Sequence, residues 1–176
     1  MKKIMLIDLA VFSILAMFTE VAGTVLLKDM VPLFYCTLSM AVAQIAMLRW
    51  GAAGIAVQAA AGLAALLLGN MKLLDGLIFC VAANLCLGIP MALYGERDRD
   101  VIVENPLYFL LYLILSHLCL CAGKGIAIWA VTGERSGFVD FFGASLLVFI
   151  INTIALLVLR GVKNLMIDMR TYYGEG

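Results

Sequence analysis

Apolar residues run along this chain in six long blocks separated by short polar breaks, and each block approaches the length of a membrane-crossing helix. A helix that crosses about 30 Å of hydrocarbon needs about 20 mostly apolar residues, because its backbone polar groups must be satisfied within the helix itself. Six segments come close to that requirement: 4–27, 31–48, 51–68, 73–94, 106–131 and 137–159. The breaks carry loop chemistry: Lys28-Asp29-Met30 ahead of Pro32, Arg49-Trp50-Gly51, Gly69-Asn70-Met71-Lys72, the charged run from Gly95 to Asp100, and Thr132-Gly133-Glu134-Arg135. The pattern predicts an all-α membrane protein: one transmembrane domain over residues 1–176, a compact bundle of six helices with a tail over 160–176.

Composition supports the bilayer as solvent, since 65% of residues are hydrophobic, only 14% are charged, and the formal net charge is zero. That balance provides no basic patch for nucleic acid, so no nucleic-acid partner is expected. The placement of charge says more than its sum. With the N-terminus inside, Lys2, Lys3, Arg49, Arg97, Arg99, Arg160, Lys163 and Arg170 fall in the cytoplasm, against Lys28, Lys72 and Arg135 outside. Both termini are therefore expected to be cytoplasmic, in a multi-pass membrane protein. The opening Met1-Lys2-Lys3 and apolar run imitate a signal peptide, but Asp8 and Glu20 interrupt it and the apolar stretch reaches Leu27, so it is expected to remain as a span.

Five cysteines (Cys36, Cys80, Cys86, Cys119, Cys121) lie within apolar runs without CxxC spacing and read as small packing residues. In the third span Ala52, Ala56, Ala60 and Ala64 recur every four residues, with Gly54, Gln58 and Gly62 as a second row; such rows let helices approach closely, within the bundle or against a partner. Pro90 is placed to kink the fourth span.

Ionisable groups inside a membrane are costly and are candidates for function by default. The first span carries Glu20 on a face with Ser13, Met17 and Thr24; the fourth carries Asn84; the fifth carries His117 and Lys124, two turns apart with Cys121 between them; the sixth begins with Asp140. Glu20, Asn84, Lys124 and Asp140 all fall between the midplane and the outer surface, which predicts an outward-opening polar pocket, with Trp129 at its mouth or anchored at the interface. The competing reading is that Glu20 and Lys124 neutralise each other and Asn84 bonds a neighbouring backbone. No HExxH, GxSxG, Walker A or metal-ligand spacing is present, and a nucleophilic pair of His117 with Cys121 lacks an evident third group. Neither enzyme activity, nor a cofactor, nor a bound metal is expected.

Six spans in a small chain with both ends inside, a Gly/Ala-rich third span and an outward polar pocket resemble the substrate-binding S components of energy-coupling factor (ECF) transporters. The resemblance implies capture of a vitamin or related micronutrient from outside and delivery through a transmembrane T component and two cytoplasmic ATPase subunits. It implies substrate-binding roles for Glu20, Asn84, His117, Lys124, Trp129 and Asp140. In that family an Ala-xxx-Ala row on the first helix often docks the T component; here the ladder lies in the third span. A carboxylate and an ammonium in one pocket suit a zwitterionic or mixed polar and aromatic ligand, whereas His117 with many Met and Cys suits a porphyrin or metal complex. The alternatives are a non-transport scaffold subunit and a self-contained small transporter or membrane enzyme.

Overall fold

The computed structural model describes residues 2–27, 37–69, 71–94 and 99–173. The predicted outer loop at 28–32, the start of the predicted second span at 31–36 and the charged residues 95–98 lie outside them. Among the described residues all regular structure is helical, with no strand. The elements are α1 (Lys2–Leu27), α2 (Ser39–Trp50), α3 (Ile55–Leu68), α4 (Leu73–Tyr94), α5 (Arg99–Glu104), α6 (Pro106–Thr132), α7 (Gly137–Arg160) and α8 (Met169–Tyr172).

Five helical stretches are long and apolar enough to cross a membrane: Lys2–Gly23, Ser39–Leu68, Leu73–Tyr94, Pro106–Thr132 and Gly137–Arg160. The sequence predicts six spans, and the difference lies in Ser39–Leu68. This stretch is folded back on itself. Gly51 adopts φ 63°, a region that favours glycine, and the 3₁₀ turn Gly51–Gly54 sends α3 back along α2. The return is so close that a Cβ on Gly54 would fall 2.4 Å from the Met47 nitrogen. With 12 and 14 described residues, α2 and α3 rise about 18 and 21 Å, each short of the hydrocarbon thickness.

Neighbouring helices run antiparallel. Asp8 of α1 meets Arg49 of α2 while Glu20 meets Ser39. Gly62 of α3 faces Cys80 of α4 while Gly88 faces Ile55. Lys124 of α6 reaches Phe79 while Tyr112 packs on Tyr94. Gly125 abuts Phe138 of α7 while Phe109 sits beneath Arg160. One end of the bundle therefore collects Arg49, Arg99 and Arg160, and the other Glu20, Ser39 and Lys124.

Helix α4 is irregular: a π segment over Leu77–Ala82 is followed by a 3₁₀ turn over Cys86–Gly88. The second irregularity has a local cause, because Pro90 lacks the N–H that would otherwise bond the Cys86 carbonyl four residues back. Helix α6 is conventionally bounded: Asn105 accepts the Leu107 N–H at 2.9 Å, Pro106 occupies the first turn, and Gly133 closes the helix at φ 80°.

The core gathers Met47, Leu48, Leu87, Phe109, Leu113 and Leu156. Leu6, Ile7, Ile14 and Phe18 on α1 stand well exposed, a broad apolar face that suits hydrocarbon as its neighbour rather than water. At the arginine-rich end the tail is tied to the bundle. Arg49 donates to Asp8 at 2.8 Å and to the Asn164 and Leu165 carbonyls at 3.1 Å. Arg99 pairs with Asp168 at 2.9 Å, both side chains almost fully buried. Burial pushes the Arg99 guanidinium down from its ordinary value, and Asp168 and Asp100 oppose the shift. Arg160 donates to the Val103 and Glu104 carbonyls at 2.6 Å, satisfying two of the last carbonyls of α5.

Candidate functional site

A cavity of about 380 Å³ lies towards the end of the bundle opposite Arg49, Arg99 and Arg160, between α1, the start of α2, α3, α4, α6 and α7. Four of the six residues predicted to bind a substrate line it: Glu20, Asn84, His117 and Lys124. All four are nearly buried, at 7%, 8%, 3% and 7% exposure. The other two lie elsewhere. Trp129 is 56% exposed and Asp140 is exposed on the first turn of α7, and neither lines the cavity.

Glu20 projects from α1 onto the segment entering α2. Its Oε2 accepts the Thr37 hydroxyl at 2.9 Å and the Ser39 hydroxyl at 2.7 Å. Thr37 Oγ1 in turn accepts the Ser39 N–H at 3.1 Å, a local turn that presents both hydroxyls to the carboxylate. The segment is fixed from the far side by Asn152 of α7, which donates to the Thr37 carbonyl at 2.7 Å and accepts the Ala41 N–H at 2.8 Å. Asn152 thus acts as a cap on the first turn of α2, supplied from another helix.

Lys124 leans from α6 onto the π segment of α4. Its Nζ donates to the Phe79 carbonyl at 2.6 Å and lies 4.0 Å from the centroid of the Phe79 ring, with the Phe141 ring at 5.8 Å. The widened turn and this use of a helix carbonyl coincide, as expected where a π segment serves a site. Ion pairs join Arg49 to Asp8 and Arg99 to Asp168, but among the described residues none joins Lys124 to a carboxylate. The Lys124 ammonium and the Glu20 carboxylate therefore face one cavity without direct contact.

The remaining wall is aromatic and amide. Phe79 and Phe141 meet edge to face at 6.4 Å, and the His117 ring stacks on Phe149 at 4.4 Å. His117 Nε2 lies 3.5 Å from Cys121 Sγ and 3.4 Å from Ser145 Oγ. Ser145 is thus a third member of the cluster, but it shares Nε2 with the thiol; Nδ1 has no hydrogen-bond partner among the described residues. A nucleophilic triad needs an acceptor at that second nitrogen to hold the imidazole in one tautomer.

Gln58 also lines the cavity, beside the contact where Gly62 brings α3 onto α4 so tightly that a Cβ would strike the Cys80 carbonyl oxygen. The closest packing is made by the glycine row, with Gly54 and Gly62 buried against neighbouring backbone; of the alanine ladder Ala52 and Ala56 are exposed, Ala60 is half-buried and Ala64 is buried. Among the described residues no group of three or more His, Cys, Asp or Glu is placed to hold a metal ion.

Sequence reasoning missed Thr37, Ser39, Ser145 and the Phe79 carbonyl. The Thr37-Leu38-Ser39 triplet carries a weak turn signal inside an otherwise apolar run. Ser145 and the carbonyl carry none. Comparison with family models, curated proteins and solved structures finds no match for this chain.

Proposed function

We infer that the chain is a membrane-embedded solute-binding subunit, of the kind that serves an ECF-type importer. The observation that carries this reading is that Glu20 and Lys124, more than a hundred residues apart, line one cavity of about 380 Å³. Holding a carboxylate and an ammonium within the apolar part of a bundle costs several kcal/mol, which the Thr37 and Ser39 hydroxyls and the Phe79 carbonyl offset in part and a polar occupant of the cavity would offset further. A volume of that size falls within the range of small-molecule sites, roughly 300 to 1,000 Å³.

In this reading the chain crosses the membrane six times, with Ser39–Leu68 contributing two passes joined at Gly51. The end bearing Arg49, Arg99 and Arg160 faces the cytoplasm, as an excess of basic residues requires, and both termini lie there. The cavity then opens towards the outside of a prokaryotic plasma membrane, where it captures a micronutrient and passes it to a T component driven by two cytoplasmic ATPases. The chain supplies binding and the partners supply energy, which agrees with its lack of a nucleotide-binding motif.

Co-purification of the tagged chain from its native membrane tests the assembly. The reading expects a second polytopic protein and two ATPase subunits, with solute uptake that depends on ATP. Uptake by vesicles containing this chain alone, without ATP, would replace it with a self-contained transporter.

A further inference from the structure

The polar groups of the cavity are not equally engaged. Glu20 is already held by the Thr37 and Ser39 hydroxyls. Lys124 is held by one carbonyl and by the face of Phe79, and among the described residues it has no carboxylate partner. An ammonium has three N–H donors, and the Phe79 carbonyl takes one of them. Glu20 lines the same cavity but is engaged by two hydroxyls, so an anion that approaches Lys124 through the cavity can take up its remaining N–H donors at closer range.

Around that cation the wall is apolar and flat. Phe79 and Phe141 stand at right angles, and the stacked rings of His117 and Phe149 form a second aromatic surface. Aromatic faces and edges of this kind offer a planar ring both stacked and edge-to-face contacts. Gln58 and His117 also line the cavity.

We propose that the cavity takes a small anionic aromatic or heteroaromatic solute, with its acidic group on Lys124 and its ring between the Phe79–Phe141 pair and the His117–Phe149 stack. This rests on the solute-capture reading and narrows it. It places an anion, rather than a cation or a metal complex, beside Lys124.

The test uses the full chain in lipid nanodiscs and, as probe, a small-molecule extract of yeast separated into anionic, neutral and cationic pools. Retained molecules are read by mass spectrometry after gel filtration. The expected result is retention from the anionic pool of a molecule that absorbs in the near ultraviolet, reduced about tenfold or more by Lys124→Met and largely kept by Lys124→Arg. Retention from the neutral or cationic pool, or an anionic aliphatic or fatty acid instead, overturns this inference and leaves solute capture standing. Retention that Lys124→Met does not reduce, with Lys124→Arg likewise unchanged, removes Lys124 as the receptor. Retention from no pool overturns the capture reading and this inference together.

Discussion

Asn152 of α7 and Ala41 of α2, separated by 111 residues of chain, are joined by a 2.8 Å hydrogen bond from the Ala41 N–H to Asn152 Oδ1. The same side chain donates to the Thr37 carbonyl at 2.7 Å and to the Val148 carbonyl at 2.8 Å, so each polar atom of the amide is used. Because Thr37 holds Glu20, one buried amide ties the last long helix to the cavity wall. Asn152→Ala leaves the Ala41 N–H and the Thr37 carbonyl unanswered, at a cost of about 1 to 3 kcal/mol. Reversible denaturation in detergent measures this; a change below about 0.5 kcal/mol, the range of neutral surface substitutions, contradicts it.

Gly62 and Gly143 form a matched pair of tests. A Cβ at Gly62 would strike the Cys80 carbonyl oxygen, whereas one at Gly143 would meet nothing within 4 Å. Alanine is intrinsically favoured over glycine in a helix interior by about 1 kcal/mol. Gly143→Ala should therefore be neutral or stabilising, while Gly62→Ala pushes α3 off α4 and lowers stability by about 1 to 3 kcal/mol through overpacking. Equal thermal midpoints for the two variants would contradict the close contact.

At the opposite end, Arg99 and Asp168 form an ion pair at 2.9 Å with side chains only 2% and 3% exposed. Asp168→Ala leaves a buried guanidinium without its carboxylate and should cost about 3 to 5 kcal/mol, more than truncating an exposed pair. The expected local sign is early cleavage of the chain after residue 160 by a soluble protease. Replacing both partners with apolar residues should recover much of the loss, and a double variant as unstable as Asp168→Ala would refute the pairing argument.

Much of the fold is legible in the hydrophobic pattern, because helices in lipid must be long, apolar and internally bonded. Helices α1, α6 and α7 begin or end within two residues of their predicted bounds. Residues Glu20, Asn84, His117 and Lys124 stand out for the same reason: a polar group in an apolar run needs an explanation. What the pattern does not carry is the identity of partners. The Thr37 and Ser39 hydroxyls reach Glu20 across 17 and 19 residues through a turn whose position depends on Asn152. A backbone carbonyl exists at every residue, and the one that Lys124 reaches lies in the π segment, which the hydrophobic pattern does not mark. Spacing made the alanine ladder conspicuous, yet contact with the Cys80 backbone admits only a residue without Cβ, so Gly62 takes that place. Trp129 and Asp140 share the depth of the pocket but do not line it, because depth does not determine the direction a side chain faces around its helix.

That placement yields a further prediction. Trp129→Ala and Asp140→Asn remove groups that do not line the cavity, and solute retention should stay within about twofold of the unsubstituted protein, the scatter of ordinary surface changes. A loss comparable with that of Lys124→Met would require a site extended beyond the cavity described.

Ala65 lines the cavity from α3 and bears no polar group, so filling it changes volume while sparing every charge. Native mass spectrometry of the unsubstituted chain and of Ala65→Phe, each incubated with the yeast extract in nanodiscs, tests directly whether a solute occupies that space. The expected result is one small molecule bound per chain in the former and none in the latter, with both proteins equally folded by circular dichroism. Equal occupancy in the two proteins, or none in either, would contradict solute capture in the cavity between Glu20 and Lys124.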